Sequence, residues 1–325
     1  MRTSFCTILI AFSLLTSLQA QVPNGYYSFA ENKSDQALRS ALHNIIDDHI
    51  EFPYTSSSTD TWDILQESDA DPSNSNNVIL VYTRESVNGP QEYNGGSGWN
   101  REHVWAKSRG DFGTEIGEGT DVHNLRASNV QVNSTRTNYS FDNCTTNSCN
   151  QTYGNSYSST ALVFEPRDED KGDVARIIFY MDIRYEGDSG ELDLEMTENI
   201  LSISSKLPRH GVRSTLLEWH QSDPVDDFER NRNDVIYSYQ GNRNPFIDHQ
   251  NLWITFGATN SNRHGIVHFL ILLYKQILNC LSLTRFKPVI SIFRQVSMPI
   301  QLRFTMSKAS KLVISLLKLS ESKCL

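Results

Sequence analysis

Glu102 and His103 stand side by side in the run Trp99-Asn100-Arg101-Glu102-His103-Val104-Trp105, and Asn133 follows downstream. Those three residue types together could hydrolyse a phosphodiester. The reaction needs a base to activate water, a cation to stabilise charge on the phosphoryl oxygens, and help for the departing 3′ oxygen. Imidazole suits the base, because its ordinary pKa lies near neutrality. Carboxylate and amide oxygens suit a single hard cation such as Mg²⁺ or Ca²⁺, with Mn²⁺ as the transition-metal equivalent. Neighbouring residues of a strand point to opposite faces, so Glu102 and His103 are poorly placed to ligate one ion together. A carboxylate on the metal and an imidazole on the water is the division that spacing favours. Taken alone, a Glu-His pair is a common dipeptide, and its bland meaning is a partly exposed strand pair.

The surrounding sequence predicts the elements that would position these groups. Alternation along 99–105 places Trp99, Arg101, His103 and Trp105 on one strand face and Asn100, Glu102 and Val104 on the other. Gly-rich stretches at 94–98 and 109–119 flank the strand. A helix is predicted over 126–138, with Asn129 and Asn133 one turn apart, which makes Asn129 a rival to Asn133 as an amide donor. Further helices are predicted over 35–49, 174–185 and 214–220, with another ordered segment at 225–239. The stripe Val174, Ile177, Ile178, Met181 marks the helix over 174–185 as core-facing. A polar loop at 69–77 precedes a predicted buried strand over 78–82.

Composition divides the chain. Residues 1–20 carry Arg2, an apolar run from Ile8 to Leu18 and a small-residue cut site at Ala20-Gln21, the order of a secretory signal peptide. The expected location is therefore secreted or periplasmic, a compartment in which Cys144 and Cys149 are spaced to staple one loop. The formal net charge is −9, yet residues 258–325 hold ten Lys/Arg against Glu321 alone, while residues 1–257 hold 19 basic and 37 acidic side chains. An acidic body does not favour a polyanion, so a nuclease would need a cation and a local basic groove. The tail at 258–325 reads as an atypical basic and apolar appendage, either an interfacial segment able to contact a membrane or sequence foreign to the preceding fold. A zinc hydrolase is disfavoured, because no His-Glu-x-x-His motif occurs.

The ordered blocks Trp99–Ser108, Asp121–Arg126, Val132–Asn138, Lys171–Arg176 and Arg243–His249 resemble the bacterial endonuclease I family, across roughly residues 22–256. The resemblance implies an α+β fold, mixed helices and small sheets around a ββα-metal (His-Me finger) core, over residues 21–257. It also implies a secreted, metal-dependent nuclease that cuts DNA and RNA without strict sequence preference and leaves 5′-phosphate ends. Carried onto this chain, His103 matches the general base, Glu102 the carboxylate on the metal and Asn133 the amide oxygen on the same metal. The family also places an arginine near the scissile phosphate, and Arg109 is the candidate as the arginine between the Glu-His strand and Asp121. No stable protein partner is expected. His123 is read as a backbone-bonding residue, Arg136 as a structural ion pair or phosphate contact, His249 as a terminator of the fold, and Trp99 and Trp105 as core. The alternative is a catalytically inactive extracellular binding or adhesion module on the same fold.

Overall fold

In the computed structural model the described residues are 22–252, together with two strands in the tail. Leu38, Ala41, Leu42 and Ile46 recur at helical spacing, and they form the buried side of α1 (Asp35–Ile46). The second helix, α2 (Thr61–Ser68), starts at a capping box: Asp60 accepts from Trp62 N at 2.7 Å, and Asp63 accepts from Asp60 N at 3.1 Å. The polar stretch expected as a loop is already paired. β1 (Ala70–Asp71) folds back onto β2 (Asn74–Ile79), because Asp71 takes the Ser73 amide at 2.7 Å and closes the turn, and β3 (Ser86–Asn88) completes an antiparallel sheet. The strand expected over 78–82 ends at Ile79, although Leu80, Val81 and Tyr82 remain buried.

β4 (Trp99–His103) pairs antiparallel with β5 (Leu125–Asn129), in a register that sets Glu102 opposite Arg126 and His103 opposite Leu125. The helix expected over 126–138 is thus a strand as far as Asn129, and α3 covers only Val130–Arg136. Asn129 is the reason for the break: its amide oxygen accepts from Gln131 N at 2.9 Å and Val132 N at 3.3 Å, so it caps the helix. The strand alternation likewise stops at His103, and the two tryptophans enter different clusters. Trp99 packs with Trp62, Ile64 and Val78, whereas Trp105 joins the main core around Phe141, Ile178 and Tyr180.

Beyond α3 a four-stranded sheet forms in the order β6 (Ser140–Phe141), β9 (Val163–Glu165), β8 (Asn155–Ser158), β7 (Asn150–Thr152). The expected disulfide, Cys144–Cys149, closes the loop ahead of it. Then follow α4 (Lys171–Arg184), the parallel pair β10 (Glu195–Thr197) and β11 (Arg209–Val212), α5 (Arg213–Ser222), α6 (Asp227–Gln240) and the single turn α7 (Pro245–Asp248). The chain is α+β, with seven helices and several small sheets among the described residues. The expected stripe of α4 is buried, and so is its opposite side, where the charges are paired. Arg176 holds Glu229 through two bonds of 2.6 Å, and Arg184 holds Asp47 and Glu191 at 2.7 Å.

In the tail, β12 (Ile300–Met306) and β13 (Leu312–Lys318) form an antiparallel hairpin. The expected signal peptide at 1–20, the apolar stretch at 266–283, Cys280 and Cys324 lie outside the described residues. No described helix is long and apolar enough to cross a membrane.

Asp69 ties α2 and β5 to α6. Fully buried, it accepts from Arg126 Nε at 3.2 Å, Ala127 N at 2.7 Å and Arg232 Nε at 2.7 Å. Asp69→Ala takes a carboxylate from two buried guanidiniums, leaving Arg126 with Asp173 and Arg232 with the Val122 and Leu125 carbonyls, and is expected to lower unfolding free energy by about 3 kcal/mol in a urea titration. His220 gives a second test. Burial, opposed by its bond to Gln250 O at 2.8 Å, pushes its pKa down to about 4. The unfolded chain takes up this proton near its ordinary value and the folded chain does not. Stability contributed at this site is therefore complete above about pH 6.5 and falls as pH drops towards 4. The melting temperature of His220→Gln should accordingly lose less than the wild type between those pH values.

Candidate active site

The β4–β5–α3 unit brings Glu102, His103 and Asn133 to the lining of one cleft of about 610 Å³. Tyr54, Arg101, Lys107, Arg136, Asn138, Tyr139 and Ile203 complete most of its wall. Register explains the convergence. Asn100 and Glu102 share the strand face that meets α3, where Asn133 Nδ2 donates to Asn100 Oδ1 at 3.1 Å and Arg136 Nε lies 3.3 Å from Glu102 Oε1. Engaging the amide nitrogen this way leaves the oxygen as the group Asn133 can offer a cation.

Glu102 is 2 % exposed, and Tyr82 OH donates to its Oε1 at 2.9 Å. Burial raises the Glu102 pKa, against the lowering pull of Arg136 and of the Tyr82 bond. Tyr82 reaches this position from a left-handed backbone (φ 72°), held by Asp170 on its amide at 3.1 Å and Asn155 on its carbonyl at 2.9 Å.

His103 lies on the other strand face. Its Nε2 is 2.9 Å from Gly119 O, and since a carbonyl only accepts, the proton sits on Nε2 and Nδ1 keeps its lone pair. Burial, together with Lys107, Arg101 and Arg136, outweighs that bond and pushes the imidazole down to about 3, so it is neutral at ordinary pH. The Tyr54 ring stacks along it at 5.7 Å, and Arg101 is seated 3.3 Å from the centroid of that same ring and 4.0 Å from Trp62.

Of the other predicted residues, Arg136 lines the cleft and the rest fall elsewhere. Arg109 is fully buried and does not line the cleft. Its guanidinium donates to the carbonyls of Ser202 (2.7 Å), Ser205 (3.2 Å), Asn138 (2.8 Å) and Leu201 (3.3 Å). Asn129 is a helix cap, and His123 bonds Asn242 O at 3.3 Å beneath the surface. Arg136 is a structural ion pair that also reaches His210 Nε2 at 2.9 Å and the carbonyls of His103, Val104 and Thr137. His249 packs edge-on against Tyr27 at the end of the fold. One further group, His43, Asp47 and Asp188, has metal-ligating composition; it sits at the end of α1, with His43 Nε2 at 3.1 Å from Asp188 and Asp47 paired to Arg184. Tyr82, Tyr54 and the Gly119 carbonyl carry no motif and were not predicted. Asn100 was legible, two positions before Glu102 on the same face.

The profile of the endonuclease I family matches residues 34–251, a span that contains the whole cleft. The chain belongs to the endonuclease I family. It is 53% identical over 227 residues to an extracellular ribonuclease of Bacillus subtilis (strain 168), covering 69% of this chain and 75% of that one. A second extracellular ribonuclease, from Bacillus amyloliquefaciens, is 52% identical over the same length and shares. Endonuclease-1 of Buchnera aphidicola is 27% identical over 131 residues, 39% of this chain and 46% of the other. Membership in the endonuclease I family places the chain among hydrolases of nucleic acid, a family that points to a divalent metal.

Glu102 and Asn133 have the donor chemistry of a hard-cation site, an anionic oxygen and an amide oxygen with room for water ligands. Asn100→Ala frees the Asn133 amide to rotate. It is expected to weaken Mn²⁺ or Mg²⁺ binding about 10-fold, read by isothermal titration calorimetry.

Proposed function

We propose that the protein is a secreted, metal-dependent, nonspecific endonuclease that hydrolyses DNA and RNA to 5′-phosphate products. The observation that carries this reading is the arrival of Glu102 and His103 from β4 and of Asn133 from α3 at one cleft. A single divalent cation, Mg²⁺ or a close substitute, would be held by Glu102 and Asn133 and would supply charge stabilisation at the phosphoryl and 3′ oxygens. His103 takes the proton of the attacking water at Nδ1, while Gly119 O fixes the ring through Nε2. The negative phosphate entering beside a buried imidazole favours the protonated form and opposes the depression seen without substrate. Lys107, half-buried in the lining, takes the phosphate-contact role first considered for Arg109, whose guanidinium is engaged by backbone carbonyls. Secretion is supported by the signal-like leader and by the extracellular relatives.

Plasmid and ribosomal RNA digestion with Mg²⁺, abolished by EDTA and restored by excess Mg²⁺, tests the reading against a binding module. His103→Ala is expected to lose at least about 100-fold in kcat and still bind the cation, whereas Glu102→Ala loses both. Undiminished turnover in purified His103→Ala would remove the base assignment.

A further inference from the structure

Arg109 and Asn138 act on the same piece of chain, the connection 198–208 between β10 and β11. Arg109 donates to three of its carbonyls, those of Leu201, Ser202 and Ser205, and bridges them to Asn138 O. Asn138 Nδ2 in turn donates to Ile203 O at 2.8 Å and to Ser108 Oγ at 2.7 Å. Gly110 N adds a bond to Lys206 O at 3.2 Å. A connection without regular structure is thereby held at its backbone from one side. At its tip Ile203 lines the cleft and leaves 56 % of its surface to solvent. A large aliphatic group whose backbone is fixed in this way on the wall of the cleft offers a preformed apolar contact to whatever enters it.

We propose that Ile203 is the contact for an unpaired nucleobase of the substrate strand, and that Arg109 is the positioning residue that holds Ile203 there. This rests on the nuclease reading and names the substrate form that the cleft takes best: single-stranded nucleic acid. Three observations favour a base over other apolar partners. Tyr139 lines the same cleft beside Tyr54, whose ring is already engaged by Arg101 and His103, so the non-polar surface next to Ile203 is aromatic as well as aliphatic, the kind on which base faces lie. The cleft runs past Glu102 and His103, so whatever touches Ile203 is continuous with a strand whose phosphate lies at those residues. The residues 1–257 carry 37 acids against 19 bases, so phosphate contacts alone give this protein little affinity and base contacts must add to them. Bases in a duplex are stacked on each other and have no free face to offer, which restricts the contact to unpaired segments.

The test is fluorescence anisotropy of a labelled 12-nucleotide single strand and of the matching duplex, in EDTA so that nothing is cut. Ile203→Ala is expected to raise Kd for the single strand about 5-fold and for the duplex less than 2-fold, with an unchanged salt slope, while Ile203→Leu stays within 2-fold of wild type. Arg109→Lys, which cannot reach four carbonyls, should raise single-strand Kd to a similar extent, and adding it to Ile203→Ala should change little further. A merely structural Arg109 would weaken both backgrounds equally. Equal losses on single strand and duplex, or an unaltered single-strand Kd in Ile203→Ala, would overturn the proposal. Mg²⁺-dependent cleavage by the wild type, measured in parallel, reports on the nuclease reading separately.

Discussion

A carboxylate that must remain an acceptor while almost wholly out of water is the constraint around which this molecule is organised. Burial alone raises the Glu102 pKa and so works against the charged form. Two groups oppose that, the Tyr82 hydroxyl, which donates to Oε1, and the charge of the Arg136 guanidinium, whose Nε lies 3.3 Å from the same oxygen. Oε2 is the oxygen left for a ligand. Each of the two partners is itself over-determined. Tyr82 stands in a backbone conformation that an aromatic residue resists by about 1–2 kcal/mol, and Asp170 and Asn155 hold it from either side. Arg136 is bonded to three backbone carbonyls and rests over Phe141 at 4.6 Å. Carboxylate position is thus set by elements far apart in sequence, from the β2–β3 region to α3.

The same device recurs through the interior. Asp69 joins Arg126 and Arg232, Glu229 joins Arg176, and Asp170 and Asp173 share Arg84. Such pairs repay little in stability compared with apolar packing, because desolvating two charges offsets their attraction. Their value lies in register. A guanidinium with several fixed donors fits one arrangement of acceptors, so α4 and α6 are held at set positions relative to each other and to the β4–β5 pair. A site that needs an oxygen and an imidazole aimed at one phosphorus requires that kind of locking.

Much of this was readable from the residues. The pair Glu102-His103, its strand and Asn133 are local features, as are the apolar stripes of α1 and α4. What sequence concealed was long-range. Arg126–Asn129 looks helical by itself, and only pairing with β4, plus the Asn129 cap, makes it a strand. Arg109 was chosen by its place between two motifs, yet the carbonyls that claim it lie about ninety residues on, in a connection with no pattern. Tyr82 supports Glu102 from twenty residues upstream, and no spacing rule links them. Local chemistry named the candidate groups; the groups that hold them were chosen by tertiary contacts.

That division also resolves the awkward charge balance. Part of the acidity of the body is balanced locally, because buried acids such as Asp69, Asp170 and Glu229 are held in ion pairs within the fold. Within the cleft itself the count reverses: Arg101, Lys107 and Arg136 face Glu102 alone. Two of those cations are bound up with Tyr54, Thr61 and the backbone, so they shape the potential without being able to follow a phosphate. Field from fixed charges needs no reorganisation when the substrate arrives, and it acts over a few ångströms. A molecule of negative net charge can therefore admit a nucleic acid at one place, through a short-range positive lining and non-polar walls, while its outer surface discourages retention elsewhere.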